Sequence, residues 1–191
     1  MTTNRQEVLQ NRLGPEIQEL KAQCKTVMLA TVGEDGNPNV SYAPFAINNG
    51  EYQVFISTIA RHARNLQDPL LFHLMILVIA RHARNLQEVP KVSLMLIEDE
   101  SQSRQIFARR RLSFDAVARV VERESEEWHS GVEALKARHG ALMDELSRMK
   151  DFHLFSFKPS QGLFVKGFGQ AFQVSNDDLV SFVHLVEGHQ E

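Results

Sequence analysis

The sequence is poor in cysteine, in long apolar runs and in net charge. One cysteine, Cys24, stands in 191 residues, so no internal disulfide can form, which suits a reducing compartment. The most apolar run, Leu70–Ala80, has 11 residues, whereas a membrane-spanning helix needs about 20. Residues 1–23 are polar and charged, unlike a secretory leader. These absences point to a cytoplasmic protein with no membrane partner. A net charge of −3 exerts no general pull toward nucleic acid or an anionic surface. GxGxxG, a Walker loop, CxxC and GxSxG are missing too, and the eight histidines form no HExxH or tight metal spacing. Nucleotide-loop, zinc-ribbon and serine-hydrolase chemistries therefore lack their motifs.

What is present reads as an ordinary globular chain, 43% hydrophobic and 24% charged, long enough for a single domain spanning 1–191. Leu9, Leu13, Ile17 and Leu20 predict a helix over 5–24, broken or restarted at Gly14-Pro15. Thr26–Val32, Asn39–Phe45 and Tyr52–Ser57 read as strands, separated by turns at Gly33–Asn37 and Asn48-Asn49-Gly50. Three such strands in a row predict a β-meander. Alternation over Gln105–Val121 predicts a further strand. Trp128, Val132, Leu135, His139, Leu142, Leu146 and Met149 draw one stripe on a helix over 123–149, where His139 reads as a packed structural histidine. Asp151–Phe157 and Leu163–Val174 read as a final strand pair, turned at Pro159–Gly162. Strands and helices do not alternate, so a parallel α/β fold is excluded and a small, mainly antiparallel barrel fits.

An internal repeat interrupts this pattern. IARHARNLQ occurs at 59–67 and again, identically, at 79–87, and His73–Leu77 aligns with Ser93–Ile97. Two copies are too few for a solenoid, so the repeat reads as a duplication of 20 residues around 68–87. Arg61, Arg64, Arg81, Arg84 and the run Arg109–Arg111 offer guanidinium forks suited to phosphate or carboxylate. The same arginines also fit a solvated face.

The C-terminal run GLFVKGFGQAFQVSNDDLVSFVHLVEGHQE opens with a strand, 163–174, that carries Phe164, Phe168 and Phe172 on one face. Gly167 and Gly169 leave part of the other face without side chains, which in a strand often marks the close approach of a ligand or another backbone. Ser175 and Asp178 then predict a helix start, and Leu179, Phe182, Val183 and Val186 continue at helical spacing up to Gly188 and His189. Two readings fit this run. It is a smooth platform with an imidazole on a flexible arm, or an edge strand with a frayed terminus.

LATVGEDGNPNVSYAPF (29–45), FISTIARHARNLQ (55–67) and KVSLMLIEDE (91–100) resemble the flavin-binding split-barrel superfamily of pyridoxamine-phosphate oxidases. RLSFDAVARVVER (111–123), DFHLFSFKP (151–159), GLFVKGFGQAF (162–172) and FVHLVEGHQE (182–191) narrow this, and together they resemble the HugZ/HutZ haem-utilisation proteins. The resemblance runs from about Leu13 to the C-terminus. It implies a split β-barrel homodimer that binds haem between subunits and degrades it to release iron. The family's axial iron ligand falls on His189. The aspartate that hydrogen-bonds that histidine from the partner subunit falls on Asp151, and the arginine near the haem falls on Arg111. A further haem-proximal histidine falls on His62 or His82, because the family carries ARHARNL once. Removing residues 68–87 restores LQEVPKVSLML in register.

Granted haem, the roles follow from its chemistry. A carboxylate accepting the second ring N–H of an axial imidazole raises its basicity and fixes its orientation. Arg111 suits a propionate or developing negative charge, and Gly167 and Gly169 let a flat macrocycle lie near the backbone. Haem is then both cofactor and substrate, and an external electron donor is required. The alternatives are an FMN-dependent oxidoreductase, with an Arg61/Arg64 cluster on the FMN phosphate, and a non-catalytic haem carrier or store.

Overall fold

The computed structural model describes residues 2–57, 82–167, 170–176 and 178–182. The chain divides into two compact units, one of Lys25–Leu94 with Asp115–Pro159, the other of Met1–Cys24, Met95–Phe114 and Ser160–Glu191.

In the first of these units, strand β1 (Thr26–Val32) pairs antiparallel with β2 (Pro38–Pro44) in the register Leu29↔Ser41. Strand β3 (Ala46–Asn48) pairs with β4 (Glu51–Ser57) in the register Asn48↔Glu51. Asn49 and Gly50 between them have φ of 51° and 78°. Two left-handed residues in a two-residue loop make the type I′ turn that matches strand twist, and asparagine followed by glycine adopts it at least cost. The expected meander is corrected here. β5 (Lys91–Ile97), β6 (Arg111–Val120) and β7 (Phe152–Val165) complete the order β2-β1-β5-β6-β7-β4-β3, so the two hairpins lie at opposite ends. The chain breaks between them at Phe45, whose carbonyl oxygen is bonded at 2.8 Å to His139 Nε2 instead of a neighbouring strand. That bond bears out His139 as a structural histidine.

Residues 82–88 form helix α2. Two further helices cover the sheet, α3 (Glu126–His139) and α4 (Leu142–Arg148). A single helix over 123–149 was expected, but Gly140 stands between them with φ of 84°. The turn there also shifts the stripe: α4 buries Met143, Leu146 and Ser147, while Leu142 is 45% exposed. Trp128, Val132 and Leu135 of α3 pack with these residues on Phe55, Phe152 and Leu154.

In the other unit, helix α1 (Thr2–Gln23) runs unbroken through Pro15, correcting the expected break. Proline in a helix costs about 3 kcal/mol, yet Leu9, Leu13, Ile17 and Leu20 are all buried on one stripe, and burying one such side chain is worth about 1.5–3 kcal/mol. The expected strand over 105–121 begins only at Arg111, because Ile106–Ala108 form a 3-10 turn. The expected turn at Pro159–Gly162 is also absent. β7 passes straight through, pairing with β4 up to Phe157 and, from Gly162, with β8 (Ala171–Val174). Pro159 falls between the two paired stretches, where its missing N–H removes no bond to β4 or β8. The reversal comes later, between Val165 and Ala171, so the strand expected over 163–174 is two strands with Phe164 opposite Phe172. Beyond it β9 (Val180–Phe182) pairs with β8, where a helix starting near Ser175 was expected. Asp178, with φ of 58°, sits in a left-handed conformation that a helix start does not allow.

Candidate functional site

Asp151 lies one residue before β7, and its Oδ2 accepts a hydrogen bond of 2.9 Å from Ser57 Oγ. Ser57 ends β4 opposite Phe152 and is fully buried. Arg123 frames the same segment. Its guanidinium donates to the carbonyls of Ser147 at 2.5 Å, Met149 at 2.6 Å and Phe152 at 3.0 Å, and lies 5.4 Å from the Trp128 ring centroid. These acceptors include backbone left open at the end of α4, which an arginine satisfies well. Asp151 is thus a half-buried carboxylate on a segment gripped from both sides. Neither Ser57 nor Arg123 was legible as a site residue. Ser57 is 94 residues from Asp151, and no spacing rule links them.

His82 belongs to the second copy of the repeat, on α2. It is fully buried, with Nδ1 at 2.8 Å from Thr31 Oγ1 and Nε2 at 2.7 Å from Ser41 Oγ. Asn85 Nδ2 donates to the same threonine oxygen at 3.0 Å. A ring with both nitrogens engaged by hydroxyls has none left for iron in this arrangement. Alanine and leucine of the same copy, Ala83 and Leu86, are buried, whereas Arg84 is exposed. His62, Arg61, Arg64 and Arg81 lie outside the described residues.

The other unit holds Arg111 and Gly167. In the run Arg109–Arg111 the first two guanidiniums are occupied. Arg109 donates to the Glu98 carbonyl and to Glu100, and Arg110 donates to Glu98 Oε1 at 2.8 Å and Glu19 Oε2 at 3.0 Å. Burial pulls the Arg110 guanidinium down, but the hydrogen bonds it donates to Glu19 and Glu98 outweigh it and hold it above its ordinary value. The Arg111 guanidinium, at the start of β6 and half-buried, has no carboxylate within salt-bridge distance among the described residues. Gly167 has φ of 149°, a conformation that side chains disfavour, and a Cβ built on it would meet nothing within 4 Å among the described residues. His189 and Gly169 lie outside the described residues. In the first unit Asp151 is a positioned carboxylate, able to accept a ring N–H; in the other, Arg111 is a guanidinium with no carboxylate at salt-bridge distance among the described residues, able to pair with an anion.

The family of pyridoxamine 5′-phosphate oxidases matches residues 13–166. Heme oxygenase HutZ of Vibrio cholerae serotype O1 is 52% identical over 187 residues, covering 98% of this chain and 95% of that protein. A crystal structure of HutZ, described as the heme storage protein from Vibrio cholerae, aligns with 82% of this chain and 96% of its own at 49% identity and a TM-score of 0.67. ChuZ from Campylobacter jejuni aligns with 95% of this chain and 66% of its own at 25% identity and a TM-score of 0.73. The expected fold class, mainly β with flanking helices on the split-barrel plan, is borne out by these likenesses.

Proposed function

Since the chain belongs to the pyridoxamine 5′-phosphate oxidase family, we propose that it binds haem and degrades it oxidatively, releasing iron. The observation that carries this reading is its near full-length likeness to a protein named heme oxygenase. Haem supplies the redox chemistry, as both cofactor and substrate, with electrons from an external donor. The work of the chain is to hold and orient it. His189 is the iron ligand in this reading. Asp151 accepts the second ring N–H of the partner subunit's His189, so the imidazole is held in one orientation and made more basic. Ser57 and Arg123 keep that carboxylate in place. Arg111 pairs with a propionate, and the bare turn at Gly167, with Gly169, lets the macrocycle approach. His62 and His82 are the further haem-proximal candidates.

A site shared by two chains requires a homodimer, and the outer face of the β1–β2 hairpin suits a second copy. Met28, Ala30 and Val32 stand opposite Tyr42, Val40 and Pro38 on that face, with Tyr42 62% and Val40 58% exposed. No described helix is long and apolar enough to cross a membrane, and a cytoplasmic location suits the single cysteine.

One observation favours a second reading, a haem store, because the solved HutZ structure is described as a heme storage protein. Haem titration followed by ascorbate separates the two. Degradation removes the Soret band, whereas storage leaves it. A yellow flavin carried through purification would favour FMN chemistry instead. His189→Ala should lose the histidine-ligated spectrum and the turnover while the fold persists. A wild-type spectrum and degradation rate in that variant would show that His189 is not the ligand.

A further inference from the structure

The turn between β3 and β4 carries chemistry of its own. Asn49 and Gly50 are both exposed, with φ of 51° and 78°. Among the described residues, neither the Asn49 carboxamide nor the Gly50 N–H makes a hydrogen bond. The carboxamide carbon of an asparagine is an electrophile, and the backbone nitrogen of the next residue can close on it to a five-membered ring. Glycine as that next residue puts no side chain in the way. The ladder beside the turn is short, with the three pairs Ala46↔Gln53, Ile47↔Tyr52 and Asn48↔Glu51, so little holds the turn shut.

Where the following residue is also described, the other asparagines are each held back. Asn4 and Asn11 sit in the rigid backbone of α1. Asn37 precedes Pro38, whose nitrogen has no proton to give up. Asn39 precedes the β-branched Val40, and its Nδ2 is buried. Asn48 donates through Nδ2 to Ser130 Oγ at 3.0 Å. Asn85 is buried and donates to Thr31 Oγ1. Asp35-Gly36 could close the same ring by losing water, but the Asp35 carboxylate accepts from the Asn37 N–H at 3.0 Å and from Asn37 Nδ2 at 2.6 Å.

We propose that Asn49-Gly50 is a site of spontaneous covalent modification, and that its isoaspartate product opens the β3–β4 hairpin. The Gly50 nitrogen attacks Asn49 Cγ, the Cγ–Nδ2 bond breaks, and the proton shed by Gly50 leaves with Nδ2 as ammonia. Water then adds to either carbonyl of the succinimide ring and opens it, giving aspartate or isoaspartate. The reaction consumes water alone and involves no electron transfer. Aspartate followed by glycine still suits the type I′ turn. Isoaspartate instead routes the backbone through Cβ, adding one carbon to a two-residue loop, so the pairing Asn48↔Glu51 is lost. That pairing positions two anchors. Asn48 ties β3 to α3 through Ser130. Glu51 Oε2 accepts from Arg119 Nη2 at 2.7 Å and from Ser156 Oγ at 2.6 Å.

The test ages the full chain in mildly alkaline buffer and maps its peptides by mass. Isoaspartate is read by transfer of a labelled methyl group from S-adenosylmethionine, with a purified isoaspartate methyltransferase as the probe. Label should accumulate in the peptide bearing residues 48–50, and faster at higher pH, because the attacking nitrogen must shed its proton. The melting midpoint of aged protein should fall in step with the labelled fraction. Asn49→Gly removes the amide and keeps the turn, since two glycines also adopt it. It should take no label in that peptide, and aged and fresh samples of it should melt together. Fresh Asn49→Asp should melt with the fresh parent, which separates the added charge from the added carbon. Label that forms only in denatured protein, or first at Asp35-Gly36, would overturn the site. Labelled protein that melts with the fresh parent, or fresh Asn49→Asp that melts as low as aged parent, would overturn the opening of the hairpin by isoaspartate.

Discussion

Arg123→Met removes a guanidinium that donates to three backbone carbonyls, those of Ser147, Met149 and Phe152. Methionine keeps an apolar stem beside Trp128, so the loss is electrostatic. A hydrogen bond to a charged group contributes about 1.5–3 kcal/mol. The three acceptors are partly buried, so water replaces some of that, and we expect a net loss of about 2–4 kcal/mol. The cation–π contact at 5.4 Å adds about 0.5–1 kcal/mol. For a chain of this length each kcal/mol moves the midpoint by about 2–4 °C, so the midpoint should fall by about 5–20 °C. The same change frees the segment that carries Asp151, so haem turnover in the folded protein should fall toward that of Asp151→Asn. A midpoint within about 2 °C of the parent would refute the reasoning, since it would mean that water satisfies all three carbonyls at no cost.

Asp151→Asn should still bind haem but turn it over more slowly, because an amide oxygen accepts the imidazole N–H more weakly than a carboxylate does; stopped-flow reduction and product spectra measure it. Ser57→Ala should lower turnover severalfold in the same assay without changing haem stoichiometry, since it removes the donor to Asp151. Deleting 68–87 gives the same polypeptide as deleting 59–78, so the surviving ARHARNLQ can take the place that residues 82–87 hold; the melting midpoint should stay or rise, and a clear fall would show that the extra residues belong to the core. Sedimentation should give a homodimer without ligand, and a 21.8 kDa monomer at micromolar concentration would count against the shared site. The hydrogen bond from Arg119 holds the Glu127 carboxyl below its ordinary value. A carboxylate depressed on folding stabilises above its unfolded pKa and loses that contribution as pH falls through the folded value. Both groups are over a third exposed, so the term is at most about 0.5 kcal/mol, and Arg119→Gln should flatten the acid limb of the melt by no more than that.

Short-range chemistry was legible in the chain. The β1–β2 hairpin, the turn at Asn49-Gly50, the buried stripe of α1 and the N-terminal half of the 123–149 stripe all follow from residues within a few positions of one another. Asparagine followed by glycine sets its own turn, and Leu9, Leu13, Ile17 and Leu20 share a face because the helix period puts them there. The site residues Asp151, Arg111 and His189 came from a resemblance in motifs, since no spacing in the chain singles them out. Tertiary contacts decided the rest. Pro15 stays in a helix because buried leucines hold it there, and Pro159 stays in a strand because β7 changes partners around it. The run from Ser175 has a helical pattern, but pairing with β8 and the pull of Lys21 and Gln10 on Asp178 and Val180 make Val180–Phe182 a strand. Lys21 and Gln10 stand more than 150 residues away from Asp178 and Val180 in sequence. Local periodicity records what a segment prefers alone, whereas a buried ammonium and an open strand edge act only once distant parts of the chain have met.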